Sequence, residues 1–143
     1  MRTQPYVIPK GQGWVYRFGL DFAVKSSEIQ AGSGVAILEY TTRRDEEPPD
    51  HTHATEDEMF YVLEGALTFH CGGQSFEVMQ GGFIFLPRGI EHGYKIDNDA
   101  PVRLLVITAP ARDGLSGGWG GFVSDLELGQ GELVATPSAA SEG

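Results

Sequence analysis

Turn-forming residues interrupt this chain about every ten residues, which leaves little room for helices and favours short strands. Glycine alone accounts for 20 of its 143 residues. The runs between turns are rich in β-branched and aromatic side chains: WVYRF, GVAILEYTT, EMFYVLEG, ALTFHC, SFEVM, FIFLP, HGYKI and VRLLVIT. Few of them carry a helical period. Many short strands at this spacing predict an all-β sandwich or barrel. The pairs Gly72-Gly73 and Gly81-Gly82, and the triplet Asp97-Asn98-Asp99, read as hairpin or loop turns.

The length suits one domain with a real hydrophobic core. A barrel domain is expected over 1–128, with an N-terminal arm and a C-terminal loop. From residue 109 onward the chain turns to glycine, alanine and serine, and 129–143 reads as a flexible tail. Cys71 is the single cysteine, so no intramolecular disulfide can form. It reads as a small buried residue. A formal net charge of -10 repels phosphate backbones, so nucleic acid is not an expected partner. No stretch is apolar enough to span a bilayer, and MRTQPYVIPK is no signal peptide; the expected location is the cytoplasm.

The run EMFYVLEG is apolar on both faces. Glu58, Phe60 and Val62 share one face, and Met59, Tyr61 and Leu63 the other. Both faces therefore need a cover. A second copy of the chain, giving a homodimer, is one candidate for the outer cover. The N-terminal arm is the other.

Chemistry concentrates in DHTHATEDEMFYVLEG, residues 50–65. His51 and His53 are two apart, which puts both imidazoles on one face of a strand. Glu58 would point to the opposite face of a continuous strand, but ATED between them reads as a bend that can return it inward. Later, in GGFIFLPRGIEHGYKI, Pro87 and Gly89 form a tight turn and His92 begins a strand. Three imidazoles and a carboxylate make a nitrogen–oxygen set suited to Fe, Mn, Co, Ni, Cu or Zn as a divalent ion, more than to Ca or Mg.

The spacing His51-x-His53-x4-Glu58-x6-Gly65, followed by Gly81-x5-Pro87-x-Gly89-x2-His92, resembles the two motifs of the cupin superfamily. The resemblance implies a jelly-roll β-barrel, a double-stranded β-helix. It also implies one divalent transition metal held by His51, His53, Glu58 and His92, with Gly65 and Gly89 serving turns. Two positions depart from the usual pattern: Asp45 stands where many cupins have glycine, and Ile96 where many have asparagine. Neither is a ligand position.

Around EDEMFYVLEG and PRGIEH the chain looks most like small single-domain cupins of the quercetinase type. That implies a metal-dependent dioxygenase acting with O₂ on a small enolizable or aromatic substrate such as a flavonol or catechol, with Glu58 able both to ligate and to shuttle a proton. The alternatives are a non-redox isomerase, lyase, decarboxylase or cyclase, and a non-catalytic small-molecule-binding module. Phe60 and Tyr94, nearest the ligands, are candidates for the pocket wall. Glu56 and Asp57 read as a solvated acidic turn, Glu91 as exposed, and His70 as a surface histidine. The segment GGWGG, 117–121, carries Trp119 on a flexible backbone; it reads as a pin for the C-terminal segment or as a gate at the barrel mouth.

Overall fold

The computed structural model of the chain describes residues 4–110, 122, 123 and 125–138. Ten strands form two antiparallel sheets. They are β1 (Trp14–Phe18), β2 (Leu20–Ser26), β3 (Ala36–Thr42), β4 (Asp57–Glu64), β5 (Ala66–Cys71), β6 (Gln74–Met79), β7 (Phe83–Leu86), β8 (His92–Lys95), β9 (Val102–Ala109) and β10 (Glu132–Ala135). A single helical turn, α1 (Glu28–Ala31), lies between β2 and β3. The larger sheet runs β10-β1-β2-β3-β9-β4-β7 and the smaller β6-β5-β8. Strand β9 is inserted between β3 and β4, pairing Leu38 with Val106 on one side and Phe60 with Val106 on the other.

The core lies between the sheets. It is built by the alternating inner faces of the strands: Leu38 and Tyr40, Phe60 and Val62, Leu67 and Phe69, Leu104 and Val106. The strand pattern predicts a β sandwich or barrel, and this is the jelly-roll barrel that the cupin resemblance implies.

Two glycines allow the chain to cross between sheets. Gly65, φ 87°, turns β4 of the larger sheet into β5 of the smaller, and a Cβ there would meet the Pro101 carbonyl oxygen at 2.8 Å. Gly89, φ 82°, lies on the crossing from β7 to β8 and donates its N–H to the His53 carbonyl at 2.8 Å. Asp45, one of the two departures, keeps the left-handed backbone that favours glycine, with φ 75°. Ile96, the other, is fully buried and donates its N–H to Glu47 Oε2 at 2.9 Å.

The expected tail is corrected in part. Residues 132–135 form β10, which pairs with the open edge of β1 through Tyr16↔Leu133 and Arg17↔Glu132. Before it, Glu127 Oε2 accepts from Ser27 Oγ at 2.7 Å, and burial raises the Glu127 pKa above the ordinary carboxyl value. The N-terminal arm packs Tyr6 against Trp14, with ring centroids 5.7 Å apart, and Tyr6 Oη donates to the Lys25 carbonyl. Those described contacts are with β1 and β2. The outer face of β4 keeps Tyr61 exposed, and neighbouring β7 exposes Phe83 and Phe85. Among the described residues no helix is long and apolar enough to cross a membrane.

Candidate metal centre

The site is held together by backbone bonds between its two sequence motifs. His51 and His92 exchange a pair of N–H···O bonds, each 2.9 Å, which lays the His51 segment beside β8. The 2.8 Å bond from Gly89 to His53 fixes the next residue pair along. Glu58 approaches from β4 in the opposite sheet, and the bend at residues 54–55 lets it face the same interior as the histidines.

The three imidazole centroids lie 4.6 Å (His51–His53), 4.7 Å (His51–His92) and 5.2 Å (His53–His92) apart. One ligand atom from each of His51, His53, Glu58 and His92 falls within 4.8 Å of all the others. His53, Glu58 and His92 are buried and His51 is half-buried. Glu58 Oε1 sits 2.7 Å from His92 Nε2 and 3.4 Å from His53 Nε2.

Second contacts fix the ring orientations. His51 Nδ1 lies 2.8 Å from the Pro49 carbonyl and His92 Nδ1 lies 3.3 Å from the Ile90 carbonyl. A carbonyl only accepts, so each Nδ1 carries the proton and each Nε2 is turned to the cluster. Burial alone would raise the Glu58 pKa, but the His53 and His92 imidazoles outweigh it and hold the carboxyl below its ordinary value. Burial would lower the His92 pKa; its bond to Glu58 outweighs that and raises it.

Among the described residues three buried side-chain polar atoms make no hydrogen bond: His53 Nε2, Glu58 Oε2 and Thr108 Oγ1. Thr108 stands directly across from Glu58 on β9. Buried polar atoms without partners are costly, and two of these belong to the proposed ligand set. A cation accepting lone pairs from those two atoms would relieve them. The donor set therefore fits a divalent transition metal. Thr108 escaped the sequence reading, although a hydroxyl closing the otherwise apolar inner face of VRLLVIT was a visible signal.

A cavity of about 420 Å³ opens beside His51 and His53. Tyr94 lines it. Phe60 does not: it is buried in the core, its ring 5.0 Å from Phe69 and 6.1 Å from Tyr94. Tyr40 was missed. Its hydroxyl pairs with that of Tyr94 at 2.9 Å; burial raises both phenols, Tyr94 to about 12. Phe18, Phe22 and Phe122 complete an aromatic wall.

The acidic turn is also corrected. Glu56 is fully buried, and Asp57 pairs with Arg88 at 3.1 Å instead of standing free in solvent. That pair joins the start of β4 to the turn before β8. Glu91 is exposed, and His70 lies 3.5 Å from Asp50, outside the cluster. Cys71 is half-buried rather than buried. Residues 117–121, with Trp119, lie outside the described residues.

A double-stranded β-helix with three histidines and a glutamate gathered between its sheets is the architecture of the cupin class. Residues 39–108 match the family model of the cupin domain, and the chain belongs to the cupin superfamily. It is 29% identical over 96 residues to quercetin 2,3-dioxygenase of Bacillus subtilis, a match covering 66% of this chain and 28% of that protein. An uncharacterized protein of Aquifex aeolicus is 34% identical over 64 residues, covering 45% of this chain and 52% of that one. The chain thus spans from about a quarter to half of these relatives' lengths. The crystal structure of a predicted oxalate decarboxylase from Thermotoga maritima superimposes with a TM-score of 0.63 at 18% identity, covering 72% of this chain and 97% of that one. At that identity the likeness concerns the fold.

Proposed function

We propose that this cupin is a metal-dependent dioxygenase acting on a small enolizable or aromatic substrate, with His51, His53, Glu58 and His92 holding one divalent transition metal. The observation that carries the reading is the convergence of one ligand atom from each of four side chains beside an aromatic cavity, with His53 Nε2 and Glu58 Oε2 buried without a hydrogen bond. The similarity to a quercetin dioxygenase supports the choice of reaction.

A bound metal of this kind supplies Lewis acidity and, where redox-active, a route for electrons to O₂. The chain supplies the rest. His51 and His53 border the cavity, so a ligand filling it meets the cluster from their side. Glu58 is held below its ordinary pKa by two imidazoles, and a carboxylate that ligates through one oxygen can take a proton from an enol or phenol on the other. The aromatic wall keeps bulk water from the reacting group.

Metal analysis of the purified protein followed by an oxygen electrode with catechols, flavonols and β-diketones tests the reading. Stoichiometric metal and substrate-dependent O₂ uptake are expected. Turnover without O₂ uptake would move the protein to the non-redox isomerases, lyases, decarboxylases or cyclases. Metal with no turnover of any panel member would favour a binding module.

The homodimer is part of the same proposal. Tyr61, Phe83 and Phe85 leave an apolar outer surface on β4 and β7, and the described contacts of the N-terminal arm are elsewhere. A second copy covers it.

A further inference from the structure

The metal cluster lies within the matched cupin region, but much of the cavity wall does not. Phe18, Leu20 and Phe22 come from β1 and β2, before that region, and Phe122 comes from after it. The Phe122 ring meets Phe22 edge-on, with centroids 5.0 Å apart and planes at 77°, and meets Phe18 at 6.1 Å and 63°. Phe22 in turn leans on Tyr40 at 5.3 Å. This is one connected aromatic surface, and Phe122 joins two of its rings.

Charge narrows the ligand further. Among the described residues, Glu46 is the one charged side chain other than histidine lining the cavity, and it is an acid. Its Oε1 already accepts the Arg43 N–H at 2.8 Å and the Thr42 hydroxyl at 3.3 Å. An anionic group placed among the phenylalanines would lose its water and face a carboxylate. Aromatic edges and faces, by contrast, favour another ring over a saturated body of equal size.

We propose that Phe122, bridging Phe18 and Phe22, is a specificity-determining residue that selects a neutral aromatic ring as the body of the ligand. The inference rests on the cavity being the substrate site, and it assigns specificity to segments flanking the cupin region instead of to the metal cluster.

Metal-free protein titrated by NMR with three probes separates this from the dioxygenase reading, because neither metal nor O₂ takes part. The probes are 2-naphthol, its saturated analogue decahydro-2-naphthol, and the anionic 2-naphthoate. Naphthol is expected to bind about tenfold more tightly than the saturated alcohol, the scale of one or two aromatic contacts, and more tightly than naphthoate. Phe122→Leu, which keeps an apolar side chain but removes the ring, should erase most of that preference; Phe122→Trp should retain it. Thermal melting confirms that each variant is folded, and if the leucine variant is not, Phe18→Leu gives the same readout. Equal binding of naphthol and its saturated analogue, a preference untouched by Phe122→Leu, stronger binding of naphthoate, or no binding of any probe would each overturn the proposal. None of these results bears on whether the metal-loaded protein consumes O₂.

Discussion

Asp57 and Glu58 are neighbours on β4, and both carboxyls are held below their ordinary pKa, but they face opposite sides of the sheet. Asp57 looks outward to Arg88, whose hydrogen bond and charge lower its pKa. Its partner is always charged, so the pair behaves like a surface ion pair, weak and open to screening by salt. Glu58 looks inward. Burial raises its pKa, and two imidazoles have to overcome that. The rest of the strand repeats the contrast: Phe60 and Val62 are 2% and 0% exposed, whereas Tyr61 is 38% exposed. One face is committed to a core and a chemical site. The other carries an apolar surface that the described chain leaves uncovered.

The strongest way to break the comparison is at the inner carboxylate. Glu58→Ala should lower metal affinity by more than about tenfold, since even residues that only support ligands are worth that much, while Tyr61→Ala leaves metal content unchanged. Elemental analysis reads both, and full metal occupancy in the Glu58 variant would remove it from the ligand set. Next comes packing. Phe60→Ala should destabilise the fold by about 3–5 kcal/mol in denaturant titrations. Phe85→Ala, on the outer face, should stay within about 0.5 kcal/mol when measured dilute enough to be monomeric.

The outer face should respond to concentration instead. Tyr61→Asp or Phe85→Asp should convert a dimer to a monomer by light scattering at micromolar concentration, with metal retained; a monomeric wild type would refute the dimer. The smallest effect belongs to Asp57. Its lowered folded pKa means that its stabilisation is complete above the ordinary value of 3.8 and is lost as pH falls through the lower folded value. The melting temperature of wild type should therefore exceed that of Asp57→Asn slightly at pH 7. The difference should disappear in strong acid and shrink in high salt.

Most of the strands were legible because each carries its own signal, β-branched and aromatic residues closed by turn glycines. Spacing spoke for His51 and His53, which two-residue periodicity puts on one face; Glu58 would face away on a continuous strand, and its place with His92 in the set came from the resemblance to the cupin motifs. Other features depend on partners that local sequence does not contain. ELVA becomes β10 because β1 offers an open edge, and ATED looks solvated until Glu56 is packed under neighbouring chain. Likewise Phe122 meets Phe18 and Phe22, about a hundred positions earlier, and local sequence does not announce such a contact. Met59 through Leu63 announced a second apolar face, but the sequence could not say that the arm would pack elsewhere.

The insertion of β9 between β3 and β4 has a consequence for biosynthesis. All four residues of the cluster precede residues 102–109 in the chain, so they emerge from the ribosome first. Until then β3 and β4 have no strand to join them, and Glu58 sits on a strand supported only by β7. A nascent chain therefore displays its imidazoles before it owns a chamber to enclose them, and an ion met at that stage would find loose chelation alone. Any selection of a metal by the shape of the finished interior would begin when the ninth strand slides home.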